Sequence, residues 1–267
     1  MSDQTGVPQA VRKPVAYKNS EFIEGPDGRG LRILSEYLQP LSHLRDEKVQ
    51  DTVVFFGSAR IHENGPLARY YNEARELARL FTQWSDSLDH ASRRFVVSTG
   101  GGPGIMEAAN RGAWEAQGKS IGLNIGLPFE QFPNPYITPE LSFEFHYFFM
   151  RKFWFAYPAR AMVIFPGGFG TMDEMFEMLT LMQTQKIESK IILVLYGTDY
   201  WHKVINFDAL VEFGTISPED IHLFQEADDP QTALRILQEG LGTHYLSAEE
   251  PVEQPESETP TLAKSRV

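Results

Sequence analysis

Nine residues, Pro166 to Glu174, read Pro-Gly-Gly-Phe-Gly-Thr-Met-Asp-Glu and combine groups that hold phosphate with a group that can stabilise positive charge. An apolar run at 161–165 leads into them and a helical pattern at 175–183 follows, so the stretch reads as strand, glycine loop and helix start. Gly167, Gly168 and Gly170, either side of Phe169, remove the Cβ atoms that would keep a ligand off the backbone. The helix that follows starts with free N–H groups and a partial positive charge, which suits a phosphate. Thr171 adds a hydroxyl, and Glu174 sets a carboxylate one turn into the helix. The pattern Thr171-x-x-Glu174 is also that of a capping box, in which both side chains only satisfy helix-end N–H groups.

Two further strand ends carry glycine. Residues 94–99 read as a strand, followed by Gly100-Gly101-Gly102-Pro103-Gly104 and a helix start at Ile105. Val53 to Phe56 is a third apolar strand and ends in Gly57-Ser58. Apolar strands that end in glycine turns and alternate with helices predict a parallel sheet covered on both faces, with a ligand along its carboxyl edge.

Upstream of the nine residues lies an aromatic stretch, 143–155, that contains Arg151 and Lys152. A cation in apolar surroundings needs a partner, and a phosphate or a carboxylate fits a guanidinium in two-pronged fashion. The alternative is that both side chains run along the surface to solvent from a helix end. Seven histidines show no metal-ligand spacing, so no metal site is expected. There is neither a Gly-x-Ser-x-Gly elbow nor a P-loop lysine, and the 100–104 loop lacks the acidic partner of a dinucleotide fingerprint.

The elements around these residues follow from periodicity. Helices are expected at 31–44 (broken or kinked at Pro40), 66–84, 104–117, 171–185, 200–213 and 229–241. Strands are expected at 52–57, 94–99, 119–124, 161–165, 190–196 and 221–224, and the stretch 143–155 reads as a helix over its C-terminal part. The 267 residues divide into a flexible arm at 1–28, one Rossmann-like domain at 29–246 and a disordered acidic tail at 247–267. The chain has no cysteine and hence no disulfide, thiolate metal site or cysteine nucleophile. A net charge of −12 argues against a grip on nucleic acid, and no apolar run is long enough for a membrane span or shaped like a signal peptide. A cytoplasmic protein is expected.

The nine residues match PGGxGTxxE, and the chain thereby resembles the LOG ("Lonely Guy") family of cytokinin riboside 5'-monophosphate phosphoribohydrolases, often misnamed lysine decarboxylases. Arg151-Lys152 is similar to the Arg-Lys pair that family carries on the preceding helix, Gly100 to Glu107 to its first glycine loop, and Phe56-Gly57-Ser58 to its opening strand end. The resemblance spans roughly residues 50–240 and implies an α/β, Rossmann-like three-layer α/β/α fold with a parallel sheet. It implies a catalytic pair, Arg151 and Glu174, and a 5'-phosphate cradle from Gly167 to Thr171. Substrate contacts are implied at Gly57, Ser58, Gly101, Gly102, Glu130, Lys152, Phe169 and Thr180. It implies a homodimer or larger homo-oligomer and no cofactor; nothing shows a pyridoxal-phosphate lysine site. Phe148-Phe149 stand where small plant-type members often carry Met-His, so a plant-like choice of base does not carry over.

The implied reaction, a step in cytokinin biosynthesis in plants, splits a nucleoside 5'-monophosphate such as AMP or an N6-modified AMP into free base and ribose 5-phosphate. A carboxylate beside the sugar would stabilise its oxocarbenium-like transition state. The rival from another class is a non-catalytic carrier of a nucleotide or of molybdenum cofactor on the same scaffold, which needs the cradle but not the pair.

Overall fold

The central strands are buried at nearly every position, because both of their faces are covered. Along Thr52–Phe56, Val53 and Phe55 join one core while Val54 and Phe56 join the other. The structure is a computed structural model describing residues 12–88, 92–126, 132–187 and 189–246. In chain order the longer elements are α1 (Ser20–Glu24), α2 (Arg29–Asp46), β1 (Thr52–Phe56), α3 (Ala68–Asp86), β2 (Val96–Thr99), α4 (Ile105–Glu115), β3 (Ser120–Ile125) and β4 (Ser142–Phe145). There follow α5 (Phe148–Ala156), β5 (Ala159–Ile164), α6 (Phe169–Gln183), β6 (Ile192–Tyr196), α7 (Thr198–Val204), α8 (Phe207–Glu212), β7 (Gln225–Ala227) and α9 (Pro230–Leu241).

The strands form one seven-stranded sheet, all parallel, in the order β4-β3-β2-β1-β5-β6-β7. Helices α3, α4 and α9 cover one face, and α2, α5, α6 and α7 the other. This is the expected three-layer α/β fold. The chain runs outward from β1 to β4 and then returns to lay β5 on the other side of β1. The crevice between the carboxyl ends of β1 and β5 is therefore the switch point at which such sheets bind ligands. At the opposite edge, Asp51 is almost fully buried and pairs with Arg94 and with Arg160 (2.9 Å), pinning the amino ends of β1, β2 and β5.

Three local expectations change, and the helix expected over the C-terminal part of 143–155 is α5. Pro40 lies inside α2 without ending it. The carbonyl of Glu36, which has no N–H to accept from Pro40, instead accepts from Trp154 Nε1 at 3.0 Å, so packing on α5 replaces the lost bond. The carboxylate of Glu36 accepts from the N–H of His146 (2.8 Å) and of Tyr147 (3.2 Å), fixing where α5 begins. The aromatic stretch 143–155 holds the end of β4 as well as α5. The helix expected over 200–213 is two helices, since Asn206 caps the second by accepting from Ala209 N at 3.0 Å. Finally, the strand expected at 221–224 is a 3-10 turn, Pro218–Leu223, which Asp220 stabilises by accepting from Ser217 N at 2.7 Å; the edge strand is β7.

Residues 12–28, expected within the arm, form α1 and the short turns Ala16–Lys18 and Pro26–Gly28. The tail at 247–267 lies outside the described residues. Among the described residues no helix is long and apolar enough to cross a membrane.

Candidate active site

Three loops leave the carboxyl ends of β1, β2 and β5 and are tied together through backbone. Ser58 N donates to Pro166 O at 3.0 Å, and Ile105 N donates to Ser58 O at 3.2 Å. These contacts require glycine at two positions. A Cβ on Gly57 would meet the Ile105 side chain at 2.6 Å, and one on Gly104, whose φ is +71°, would meet Ser58 O at 2.4 Å. Gly101, at φ +73°, lies against the Asn124 side chain in the same way.

The loop after β5 opens outward. Helix α6 starts at Phe169, two residues before Thr171. Thr171 and Glu174 are therefore inside the helix and not at its cap, and no side-chain cap bond is made there. The capping-box alternative is not what this end of the chain does. Gly168 and Gly170 have no atom near their absent Cβ positions, so the backbone faces open space beside the helix N-terminus. Gly167 packs on Thr171, and its carbonyl accepts from Tyr200 OH at 2.7 Å. Phe169 projects outward, 92% exposed.

Glu174 is buried, and its carboxylate accepts no hydrogen bond among the described residues. Burial pushes its carboxyl up to about 7, against the pull of Lys152 and Arg151 and with a push from Glu177 and Asp173. A desolvated, poorly paired carboxylate is costly to keep, and such groups cluster at functional sites.

Arg151 turns inward. Its Nε donates to Leu123 O at 2.7 Å, and its guanidinium lies over the rings of Phe155 (5.1 Å) and Phe148 (5.8 Å). One of its terminal nitrogens is 2.5 Å from where a Cβ on Gly100 would stand, so it reaches the loop after β2. Burial lowers its pKa, opposed by the charges of Glu174 and Glu144. The surface-running alternative does not describe this side chain. Lys152 bridges to α6, with Nζ 2.7 Å from Asp173 and 2.9 Å from Glu177. Burial pulls its ammonium down, but these two bonds and the charge of Glu174 leave it raised.

The expected residues that the structure describes thus fall into three groups. Gly57, Ser58, Gly101, Gly102, Arg151, Gly167, Gly168, Phe169, Gly170, Thr171 and Glu174 lie on or against the loops at the carboxyl edge. Lys152 flanks them in ion pairs. Thr180 is exposed, bonds to its own helix at Phe176 O (2.7 Å), and faces away from Thr171, nine residues or about two and a half turns earlier. Glu130 lies outside the described residues. Residues that the sequence did not single out are Thr99, Asn124, Asn134 and Tyr200, bonded to or packed on the glycine loops, and Asn110, which bonds Thr99 and Asn134. Among the described residues no cluster of histidine and carboxylate side chains could hold a metal.

Comparison with known proteins gives likenesses of sequence and of fold. A family model described as "Possible lysine decarboxylase" matches residues 106–237. A probable cytokinin riboside 5'-monophosphate phosphoribohydrolase, LOGL3 of Oryza sativa subsp. japonica, is 26% identical over 75% of this chain and 89% of its own length. Cytokinin riboside 5'-monophosphate phosphoribohydrolase LOG1 of Arabidopsis thaliana is 30% identical over 35% of this chain and 44% of its own. Among solved structures, the X-ray structure of TM1055, a structural genomics target, superposes with a TM-score of 0.51 at 21% identity over 71% of this chain and 99% of that one, a likeness of fold. The family model and these two plant relatives show what the chain is similar to, the LOG phosphoribohydrolases, over the domain that carries the glycine loops.

Proposed function

We propose that this protein hydrolyses the N-glycosidic bond of a nucleoside 5'-monophosphate, AMP or an N6-modified AMP, releasing free base and ribose 5-phosphate. The observation that carries this reading is Glu174, a buried carboxylate without a hydrogen-bond partner among the described residues, one turn inside a helix whose open glycine loop suits phosphate. The two plant relatives, named as phosphoribohydrolases, support it at low identity.

In this reading the 5'-phosphate sits on the Gly168 and Gly170 backbone at the α6 N-terminus and supplies binding energy remote from the reacting bond. That places the ribose near Glu174. The C1'–N bond breaks with its electron pair going to the base, and the ionised carboxylate stabilises the positive charge left on the sugar. Water adds to C1' and gives up a proton, and the departing base gains one, so atoms and charge balance. Arg151, fixed between Leu123 O and two rings, polarises the departing base or favours the ionised form of Glu174 through its charge.

The test is incubation of the full chain with AMP, N6-isopentenyl-AMP and adenosine, followed by chromatography for free base. Release from the monophosphates but not from adenosine supports the reading. Equal release from AMP and adenosine, or tight AMP binding with no release, refutes it, the second result pointing to a carrier.

A further inference from the structure

Beneath the loop after β2 lies a set of buried polar side chains that the reaction above does not use. Thr99 and Asn110 are fully buried and Asn134 is 7% exposed. Asn134 Nδ2 faces three acceptors: Gly101 O at 3.1 Å, Gly102 O at 3.1 Å and Asn110 Oδ1 at 2.9 Å. Its backbone N–H also donates to Gly101 O, at 2.8 Å. Asn110 Oδ1 accepts in addition from Thr99 Oγ1 at 2.7 Å, and Asn110 Nδ2 donates to Ser120 Oγ at 3.0 Å. Thr99 Oγ1 in turn accepts from Gly101 N at 3.0 Å.

We propose that Asn134 is a positioning residue for the substrate site, acting by turning the carbonyls of Gly101 and Gly102 inward so that the loop offers N–H groups to the nucleotide. This rests on the phosphoribohydrolase reading. Among the described residues, neither the Gly102 nor the Gly104 N–H has an acceptor. A carbonyl aimed at the crevice would repel phosphate and the acceptor atoms of a base, whereas an N–H donates to them. The same loop touches Arg151 at Gly100, so its conformation also sets where that guanidinium stands.

The plain alternative is that Asn134 only makes a local turn, since its Oδ1 accepts from Tyr136 N at 3.2 Å. An aspartate would serve such a turn equally well. It would not serve the loop, because three oxygens face Nδ2 and a carboxylate there repels all of them. Thr138 makes a matched control. It lies on the same connection, where Ser120 N donates to its Oγ1 at 3.0 Å, and it makes no bond to the glycine loop.

The experiment compares Asn134→Ala, Asn134→Asp and Thr138→Ala in the full chain. For each it reads Tm, kcat and KM on AMP, and amide hydrogen exchange over residues 100–104. We expect KM to rise tenfold or more in Asn134→Ala and further in Asn134→Asp, with faster exchange in the loop. Thr138→Ala should lower Tm yet leave KM and loop exchange within twofold of wild type. If Asn134→Ala does not fold, Asn134→Ser, which keeps an acceptor for Tyr136 N, takes its place in the same comparison. A folded Asn134 variant with wild-type KM and loop exchange overturns the proposal, as does a Thr138→Ala variant that changes both equally. Should wild type release no base from any monophosphate, the reaction reading falls, and loop exchange alone then decides the role of Asn134.

Discussion

Replacing Glu174 by glutamine separates a working carboxylate from a structural one by the sign of its effect on stability. The carboxyl titrates at about 7 in the fold against an ordinary 4.5. Its folded pKa is raised, so between these values the native state holds the extra proton, and stability falls as pH rises. Once ionised, Glu174 destabilises the fold by roughly 3 kcal/mol, at about 1.4 kcal/mol per pH interval. Glutamine keeps the shape and removes the charge. At pH 8 Glu174→Gln should therefore be more stable than wild type by up to about 3 kcal/mol, and at pH 5 by roughly 1 kcal/mol or less. A helix cap would behave in the opposite way, losing about 1 kcal/mol on substitution. Turnover should fall at least a hundredfold, and in wild type kcat/KM should rise with pH through about 7 as the carboxylate forms. The assays are urea unfolding of both proteins at pH 5 and pH 8, and adenine release from AMP across the same range. A glutamine variant that is less stable at pH 8 and fully active would refute both the burial argument and the catalytic role.

Arg151→Lys keeps the charge but cannot reproduce a planar guanidinium bonded to Leu123 O between two rings; kcat/KM on AMP should fall by about tenfold to a hundredfold, while Lys152→Arg should stay within several-fold. Gly100→Ala puts a methyl 2.5 Å from the Arg151 guanidinium and 2.8 Å from Met106 Sδ; both are side-chain ends that can move, so Tm should change by only a few degrees while kcat/KM falls about tenfold. Phe148 and Phe149 on α5, and Tyr157 just after its end, are each about half exposed, so we expect a homodimer or larger assembly that covers them; a monomer by light scattering at micromolar concentration would count against this.

Much of the carboxyl edge was legible because glycine and apolar runs each report one physical demand. A strand buried on both faces has no polar alternation, and a loop packed tightly against a neighbouring side chain or backbone has no room for a Cβ. Gly57, Gly104 and Gly167 are glycines for that reason. What stayed hidden depends on partners distant in sequence. Asn134 sits among prolines and reads as a turn former; its acceptors lie 33 and 32 residues earlier. Pro40 reads as a break or a kink because nothing nearby announces that Trp154, 118 residues beyond Glu36, supplies the missing donor. At 221–224 apolar residues suggest a strand, but Ser217 and Asp220 close a turn first. Thr180 follows from a motif position alone, and its place on the helix shows that likeness of position does not fix direction.

The contact between Gly57 and Ile105 has a consequence for how the crevice can change over generations. The obstacle at Gly57 is the Ile105 side chain, so a larger residue there becomes tolerable once Ile105 is trimmed; the two positions are free to drift only as a couple. At Gly104 the obstacle is the backbone of Ser58 and Ala59, which no side-chain exchange can remove. A mutant library built on this scaffold should therefore recover survivors at the first position in combination with a second change, and none at the other. The crevice has one correlated route open to remodelling and one that is closed.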